Sequence, residues 1–270
     1  MVHLRAMSEG RTILVTGATD GIGLATARQL LNMGARVVLH GRNQPRVAAA
    51  VAGLGAAHAA RIHPVSFDLA DRQAVRAGAA AIVAAAPRLD AVVNNAGIFA
   101  TERTVTAAGD ELTWAVNVVG PHLLTQALLP ALQRAPRDAV VVYVASIAHQ
   151  RGTLALPDVS LASGYTGYVA YAQSKLANVM QAMMLATAQP WLRAYAVHPG
   201  VISTKLLRTG FGPVRGAPVE TAAQTLADLA NATFAPPSGS YISDGVVTPA
   251  SARALDAGTQ RALADLLATA

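Results

Sequence analysis

Thr12-Ile13-Leu14-Val15-Thr16-Gly17-Ala18-Thr19-Asp20-Gly21-Ile22-Gly23 is a short apolar run that ends in a glycine-rich turn, and residues 22–33 follow it with apolar positions at helical spacing. A β-branched run, a glycine cluster and an amphipathic stretch read as strand, turn and helix. Glycines at 17, 21 and 23 let the backbone turn tightly and come close to a pyrophosphate. The charge of that group is met by free N–H groups and by the positive end of the helix dipole. A turn that merely needs glycine is the alternative, and the flanking strand and helix favour the phosphate-binding reading.

The same alternation continues outward. Apolar runs at 12–16, 36–40, 62–67, 91–94, 140–145 and 193–198 read as strands, and 22–33, 45–54, 72–85, 111–133 and 168–188 read as helices. Strands apolar on both faces and joined by helices require a parallel sheet covered on both sides, so the pattern predicts an α/β, doubly wound layout. A helix at 219–232, a strand signal at 239–242 and a closing helix at 254–267 complete the chain. No repeat, linker or low-complexity tract divides residues 11–270, which read as one dinucleotide-binding and catalytic domain behind a flexible tail, 1–10.

Composition excludes several classes. With 53% hydrophobic and 13% charged residues, the 270-residue chain has ample material to offset the entropy of folding, so it is not disordered. The absence of cysteine rules out disulfides, iron–sulfur clusters, thiolate zinc sites and a cysteine nucleophile, and makes the reducing cytoplasm the default location. The net charge of +6 comes from 19 arginines and 2 lysines against 15 acids. The arginines lie singly from Arg5 to Arg261 without interleaved aromatics, which argues against nucleic acid. Residues 112–133 carry no formal charge and are long enough to span a membrane, yet Asn117, His122, Gln126, Gln133 and two prolines favour a buried helix. The first ten residues carry Arg5 and Glu9 and lack the apolar core of a secretion signal. The seven histidines form no metal-binding helix pair, and Ser146 lacks the Gly-x-Ser-x-Gly elbow of serine hydrolases.

The second strand ends Leu39-His40-Gly41-Arg42-Asn43, where a dinucleotide without a 2′-phosphate asks for a carboxylate. A guanidinium instead meets a phosphate through paired charge-assisted hydrogen bonds, so the expected cofactor is NADP(H), with Arg42 as main contact and Arg46 as second. An exposed loop arginine is the alternative for Arg42. Tyr171 and Lys175 lie one helical turn apart and share a face. A phenol of ordinary pKa shuttles protons poorly at neutral pH, and a neighbouring ammonium favours its ionised form. The alternative is a lysine that snorkels past a core tyrosine. Ser146 ends the strand at 140–145, the edge where parallel sheets present ligands, and its hydroxyl can polarise a carbonyl oxygen.

Together, Thr16-Gly17-x-x-x-Gly21-x-Gly23, Asn94-Asn95-Ala96-Gly97, Tyr171-x-x-x-Lys175 and Pro199-Gly200 resemble the short-chain dehydrogenase/reductase family along most of the chain. Ser146-Ile147-Ala148-His149, Gln173-Ser174-Lys175-Leu176-Ala177-Asn178, His198-Pro199-Gly200-Val201 and residues 238–244 are similar to its retinol-dehydrogenase and WW-domain-oxidoreductase branch. The resemblance implies a Rossmann-type fold. It also implies an oxidoreductase that moves a hydride between nicotinamide and a carbonyl or alcohol while Tyr171 exchanges the proton. Gly17, Thr19, Asp20, Gly21, Ile22 and Gly23 would then contact the cofactor. Asp68 would hold the adenine with Leu69 beside it, and Asn94, Ala96 and Gly97 would line the adenosine side. Lys175 would hold the nicotinamide ribose next to Tyr171, with Pro199 and Gly200 close by and Thr204 on the carboxamide. Asn117 would complete a tetrad by supporting a water relay to Lys175. The resemblance leaves monomer, homodimer and homotetramer open.

Residues 152–168 and 201–218, the latter with Leu206, Leu207, Arg208, Phe211 and Arg215, are expected to roof a substrate pocket. Their apolar content suits a lipophilic aldehyde, ketone or alcohol. The competing reading is a dinucleotide-sensing scaffold without turnover, which the intact Ser146, Tyr171 and Lys175 set disfavours.

Overall fold

The computed structural model describes residues 10–135, 138–156 and 158–270, so all of the expected tail but Gly10 lies outside the described residues. Among the described residues, eight strands form one sheet: β1 (Thr12–Val15), β2 (Arg36–Gly41), β3 (Ile62–Ser66), β4 (Ala91–Asn94), β5 (Ala139–Val144), β6 (Leu192–His198), β7 (Tyr241–Ser243) and β8 (Val246–Thr248). Their order is β3-β2-β1-β4-β5-β6-β7-β8, parallel up to β7 and antiparallel between β7 and β8. The helices that position the site are α1 (Gly21–Asn32), α2 (Gln44–Leu54), α3 (Arg72–Ala85), α4 (Leu112–Gln133), α5 (Gly167–Ala188), α6 (Lys205–Phe211) and α7 (Val219–Ala230).

Alternation along the strands feeds two cores. Leu14, Val92 and Val141 pack with Ile82 of α3, Leu128 of α4 and Leu176 of α5. Ile13, Val93 and Val142 turn the other way, onto Leu30 of α1, Val47 of α2 and Leu226 of α7. Both faces of the central strands are therefore withdrawn from water, the dominant stabilising contribution in such a sheet. Helix α4 is long and apolar enough to cross a membrane, and 61% of its apolar window is buried inside the protein.

Local departures from the expected pattern have local causes. β3 is not apolar on both faces: His63 and Pro64 are exposed. It is the sheet edge, where a residue without an N–H is tolerated. The closing helix is two, Ala252–Leu255 and Ala257–Ala268, because Asp256 Oδ1 accepts the Thr259 N–H at 2.7 Å and starts a new helix. The strand signal at 239–242 belongs to a hairpin whose two turn residues, Asp244 (φ 50°) and Gly245 (φ 79°), have the left-handed geometry that joins β7 to β8. Helix α4 contains a π-turn over Ala115–Val119, and α6 lies inside the stretch expected only as a pocket wall. Strand order reverses between β1 and β4, and the crevice outside the carboxyl ends of the strands at such a point is where ligands settle in open α/β sheets.

Candidate active site

The glycine turn crosses that point under tight packing. Gly17 has φ +65°, and a Cβ there would lie 2.8 Å from Ala96 Cα; one at Gly23 would lie 2.4 Å from Gly17 O. Asn95 Nδ2 donates to Thr16 O at 2.8 Å and to Gly17 O at 3.3 Å, pinning the turn to the end of β4. His40 supports it from β2. The Phe67 carbonyl can only accept, so His40 Nε2–H donates to it (3.0 Å), leaving Nδ1 to accept the Gly17 N–H (3.4 Å). Burial holds this imidazole neutral, with its pKa pushed down to about 4. Asp20 caps α1 by accepting the Gly21 N–H at 2.8 Å. Its carboxylate also pairs with Lys205 Nζ at 2.8 Å and Arg46 at 3.5 Å. The Lys205 hydrogen bond is the main reason its pKa is lowered. The pair joins the glycine turn to the start of α6, the two walls of the crevice.

The crevice has a volume of about 990 Å³, ample for a dinucleotide and a small substrate. Its lining includes Gly17, Thr19, Asp20, Gly21, Ile22 and Gly23 of the turn and Arg42 at its exposed rim. Asp68, Leu69, Ala96, Gly97, Ser146, Tyr171, Lys175, Pro199, Gly200 and Thr204 also line it. The turn fits a pyrophosphate: Gly21 has φ +52°, and the nearest atom to an added Cβ is Thr204 Cγ2 at 3.6 Å, so the backbone there is open to a ligand. Thr204 Oγ1 caps α6 through the Leu207 N–H at 3.1 Å.

Two expected site residues lie elsewhere. Asn94 does not reach the crevice; its Nδ2 donates to Thr125 Oγ1 of α4 at 2.9 Å, and Asn95 takes its place on the crevice wall. Successive strand residues face opposite ways, so only one asparagine of the pair can serve. Asn117 is buried behind the wall. Its Oδ1 accepts the Ile98 N–H (2.8 Å), and its Nδ2 donates to Ile98 O and Ser174 Oγ (3.0 Å each). Its side chain braces the segment after β4 and does not face the reacting groups.

Ser146 Oγ accepts the Ala148 N–H at 3.2 Å and is hydrogen-bonded to the Tyr171 phenol. The phenol sits among rings, with Phe99 at 5.4 Å and Phe211 at 6.0 Å between centroids. Burial pushes its pKa up to about 12, against the opposing Ser146 hydrogen bond. Lys175 Nζ donates to Val144 O at 2.7 Å and to Asn178 Oδ1 at 3.3 Å, and stands 5.5 Å from the Tyr171 ring centroid. Burial pushes this amine down to about 7. The expected acidification of Tyr171 by Lys175 is thus absent here: both groups are desolvated, and the amine is turned to a backbone carbonyl rather than to the phenol oxygen. At neutral pH the tyrosine is a protonated donor and the lysine passes between amine and ammonium. Such a pair suits delivery of a proton to an oxygen that gains negative charge.

Asn95, His40, Lys205, Asn178 and Phe99 are site or supporting residues to which the sequence reading gave no role. Asn95 and Asn178 stood inside motifs already recognised, whereas nothing in the sequence places Lys205 against Asp20.

The family model for short chain dehydrogenase matches residues 11–211. The bovine dehydrogenase/reductase SDR family member 13 is 41% identical over 206 residues, covering 74% of this chain and 54% of that protein. Bovine retinol dehydrogenase 12 is 36% identical over 205 residues, covering 75% of this chain and 65% of its own length. The chain therefore spans between about half and two thirds of these relatives. Among solved structures, an uncharacterised protein of Mycobacterium paratuberculosis superposes with a TM-score of 0.77 at 32% identity, over 96% of this chain and 93% of its own. A short chain dehydrogenase of Shigella flexneri, solved in complex with NADP, gives 0.72 at 25% identity over 87% and 96%. With its glycine turn, its Tyr171 and Lys175 on one crevice wall and its parallel sheet, the chain belongs to the short-chain dehydrogenase/reductase family of oxidoreductases, in the branch that holds the retinol dehydrogenases.

Proposed function

We propose that the chain is an NADP(H)-dependent oxidoreductase acting on the carbonyl or alcohol group of a lipophilic small molecule, with Tyr171 as general acid/base. The observation that carries this reading is the buried Tyr171 phenol, set beside Ser146 on the same crevice as the glycine turn. A bound nicotinamide dinucleotide would supply or take up the hydride. Tyr171 then gives its proton to the carbonyl oxygen, and the Ser146 hydroxyl steadies that oxygen as charge develops on it. In its ammonium form Lys175 keeps a third N–H beyond the two held by Val144 and Asn178. Phe99, Tyr168 and Phe211 form an apolar wall of rings beside Tyr171, with centroids 5.6 and 6.2 Å apart along it. An apolar substrate fits such walls, and the name of the bovine retinol dehydrogenase points to the same class.

NADP(H) is favoured by Arg42 at the end of β2, where no carboxylate stands, and by the Shigella neighbour's NADP complex. Fluorescence titration with NADPH and NADH tests it. Replacing Arg42 with Ala removes a charge-assisted contact worth about 1.5–3 kcal/mol, so NADPH affinity should fall tenfold or more with NADH affinity little changed. Equal losses contradict the assignment. A panel of apolar aldehydes and ketones tests turnover; tight cofactor binding without any turnover would favour the scaffold reading.

A further inference from the structure

Behind the crevice wall, α4 and α5 are joined by side chains that the proposed chemistry does not yet use. Asn178 lies three residues after Lys175 on α5 and is 3% exposed. Its Nδ2 donates to the main-chain oxygen of Asn117 at 2.7 Å, and its Oδ1 accepts from Lys175 Nζ at 3.3 Å. The orientation of this amide follows from its partners: a backbone carbonyl only accepts, so the NH₂ group faces Asn117 and the oxygen faces the lysine. The carbonyl of Asn117 is available for a reason the sequence contains. Four residues on stands Pro121, which has no N–H to offer in the α-helical pattern, and the π-turn Ala115–Val119 disturbs the ladder at the same place. One turn further along α5, Gln181 Nε2 donates to Val118 O at 3.4 Å in the same manner.

We propose that Asn178 is a positioning residue for Lys175, a strut whose single amide holds the lysine nitrogen at the crevice and fixes it to the backbone of α4 at Asn117. The inference rests on the reading of Tyr171 and Lys175 as the working pair. An amide donates and accepts hydrogen bonds but does not hand a proton on. The direct link takes up one lone pair of the Asn117 carbonyl on which the expected water relay would rest. Among the described residues, the titratable group facing Lys175 is Tyr171, on its own helix; β5 presents the Val144 carbonyl, and burial is the cause of the lysine's lowered pKa. The lysine is therefore sensitive to any charge placed at Asn178.

The chain contains only two lysines, Lys175 and Lys205, so protein labelled at lysine 13Cε gives two resonances, and Lys205→Arg assigns them. Asn178→Asp keeps the shape of the side chain and sets a carboxylate where the amide oxygen stands. The Lys175 titration should then move up by about one to three pH units, the effect of an opposite charge at this range. Asn178→Ala removes the acceptor and should move it down, which keeps the test available if the aspartate variant does not fold. The pH profile of kcat should follow the lysine in each variant. A Lys175 titration unmoved in both variants overturns the strut. Turnover with an unmoved titration overturns the strut alone, whereas a moved titration in a protein that binds cofactor and turns over no carbonyl keeps the strut and overturns the oxidoreductase reading.

Discussion

Replacing Lys175 with Met should flatten the dependence of stability on pH between 7 and 9.5. In the folded chain the amine sits near 7, against 10.5 for an unperturbed lysine. Between those values the unfolded chain binds a proton that the folded chain has given up, so unfolding free energy rises with pH across the window and falls as pH drops towards 7. At about 1.36 kcal/mol per unit, and allowing for partial protonation at pH 7, the gain from pH 7 to 9.5 is about 3 kcal/mol. That is a large share of the roughly 5–15 kcal/mol that holds a domain together. Methionine matches the lysine stem in length and apolar character and titrates nowhere. It leaves Val144 O and Asn178 Oδ1 without their donor, a loss that lowers stability alike at every pH and adds no slope of its own. Urea unfolding of both proteins at the two pH values reads the difference. The window ends below the range where Tyr171 and Tyr143, pushed up to about 12, would act with the opposite sign as the unfolded tyrosines ionise. Parallel slopes for wild type and variant would refute the claim that burial without a counter-charge sets this amine's pKa.

Two further outcomes follow from the glycine turn. His40, held near 4 against 6.5 when unperturbed, should draw about 3 kcal/mol of stability away as pH falls from 6.5 to 4, because the unfolded chain takes up the proton first. His40→Gln should flatten that slope in acid unfolding monitored by circular dichroism. Gly23→Ala sets a Cβ 2.4 Å from both Gly17 O and Asn95 Nδ2. We expect it to lower stability by about 1–3 kcal/mol, as overpacking does, and to weaken dinucleotide binding at least tenfold by fluorescence titration.

What was legible in the sequence is what local spacing determines. The glycine turn depends on three backbone positions close together, and the Tyr171 and Lys175 pair needs only one helical turn, so both could be read without the fold. The two asparagines after β4 mark the limit: motif and strand were evident, but which one faces the crevice depends on the register of β4 between β1 and β5. The ionisation of Tyr171 is not legible from the proximity of Lys175, because desolvation depends on Phe99, Phe211 and other residues far apart in the chain. Asn178 sat in a recognised motif, yet its partner Asn117 is 61 residues away on another helix; Pro121 was the one local sign that a carbonyl there needed a donor. The Asp244-Gly245 turn was readable and would have turned one strand signal into a hairpin.

The proposed chemistry turns on the proton of Tyr171. Tyr171→Phe keeps the ring and its packing against Phe99 and Phe211 while removing the hydroxyl bonded to Ser146. Cofactor affinity and kcat should be measured side by side for this variant, with a carbonyl that the unaltered protein reduces. We expect NADPH to bind nearly as before and kcat to fall by about 100-fold or more, the contribution of a positioned general acid. A kcat within a few-fold of the unaltered protein would mean that some other group supplies the proton.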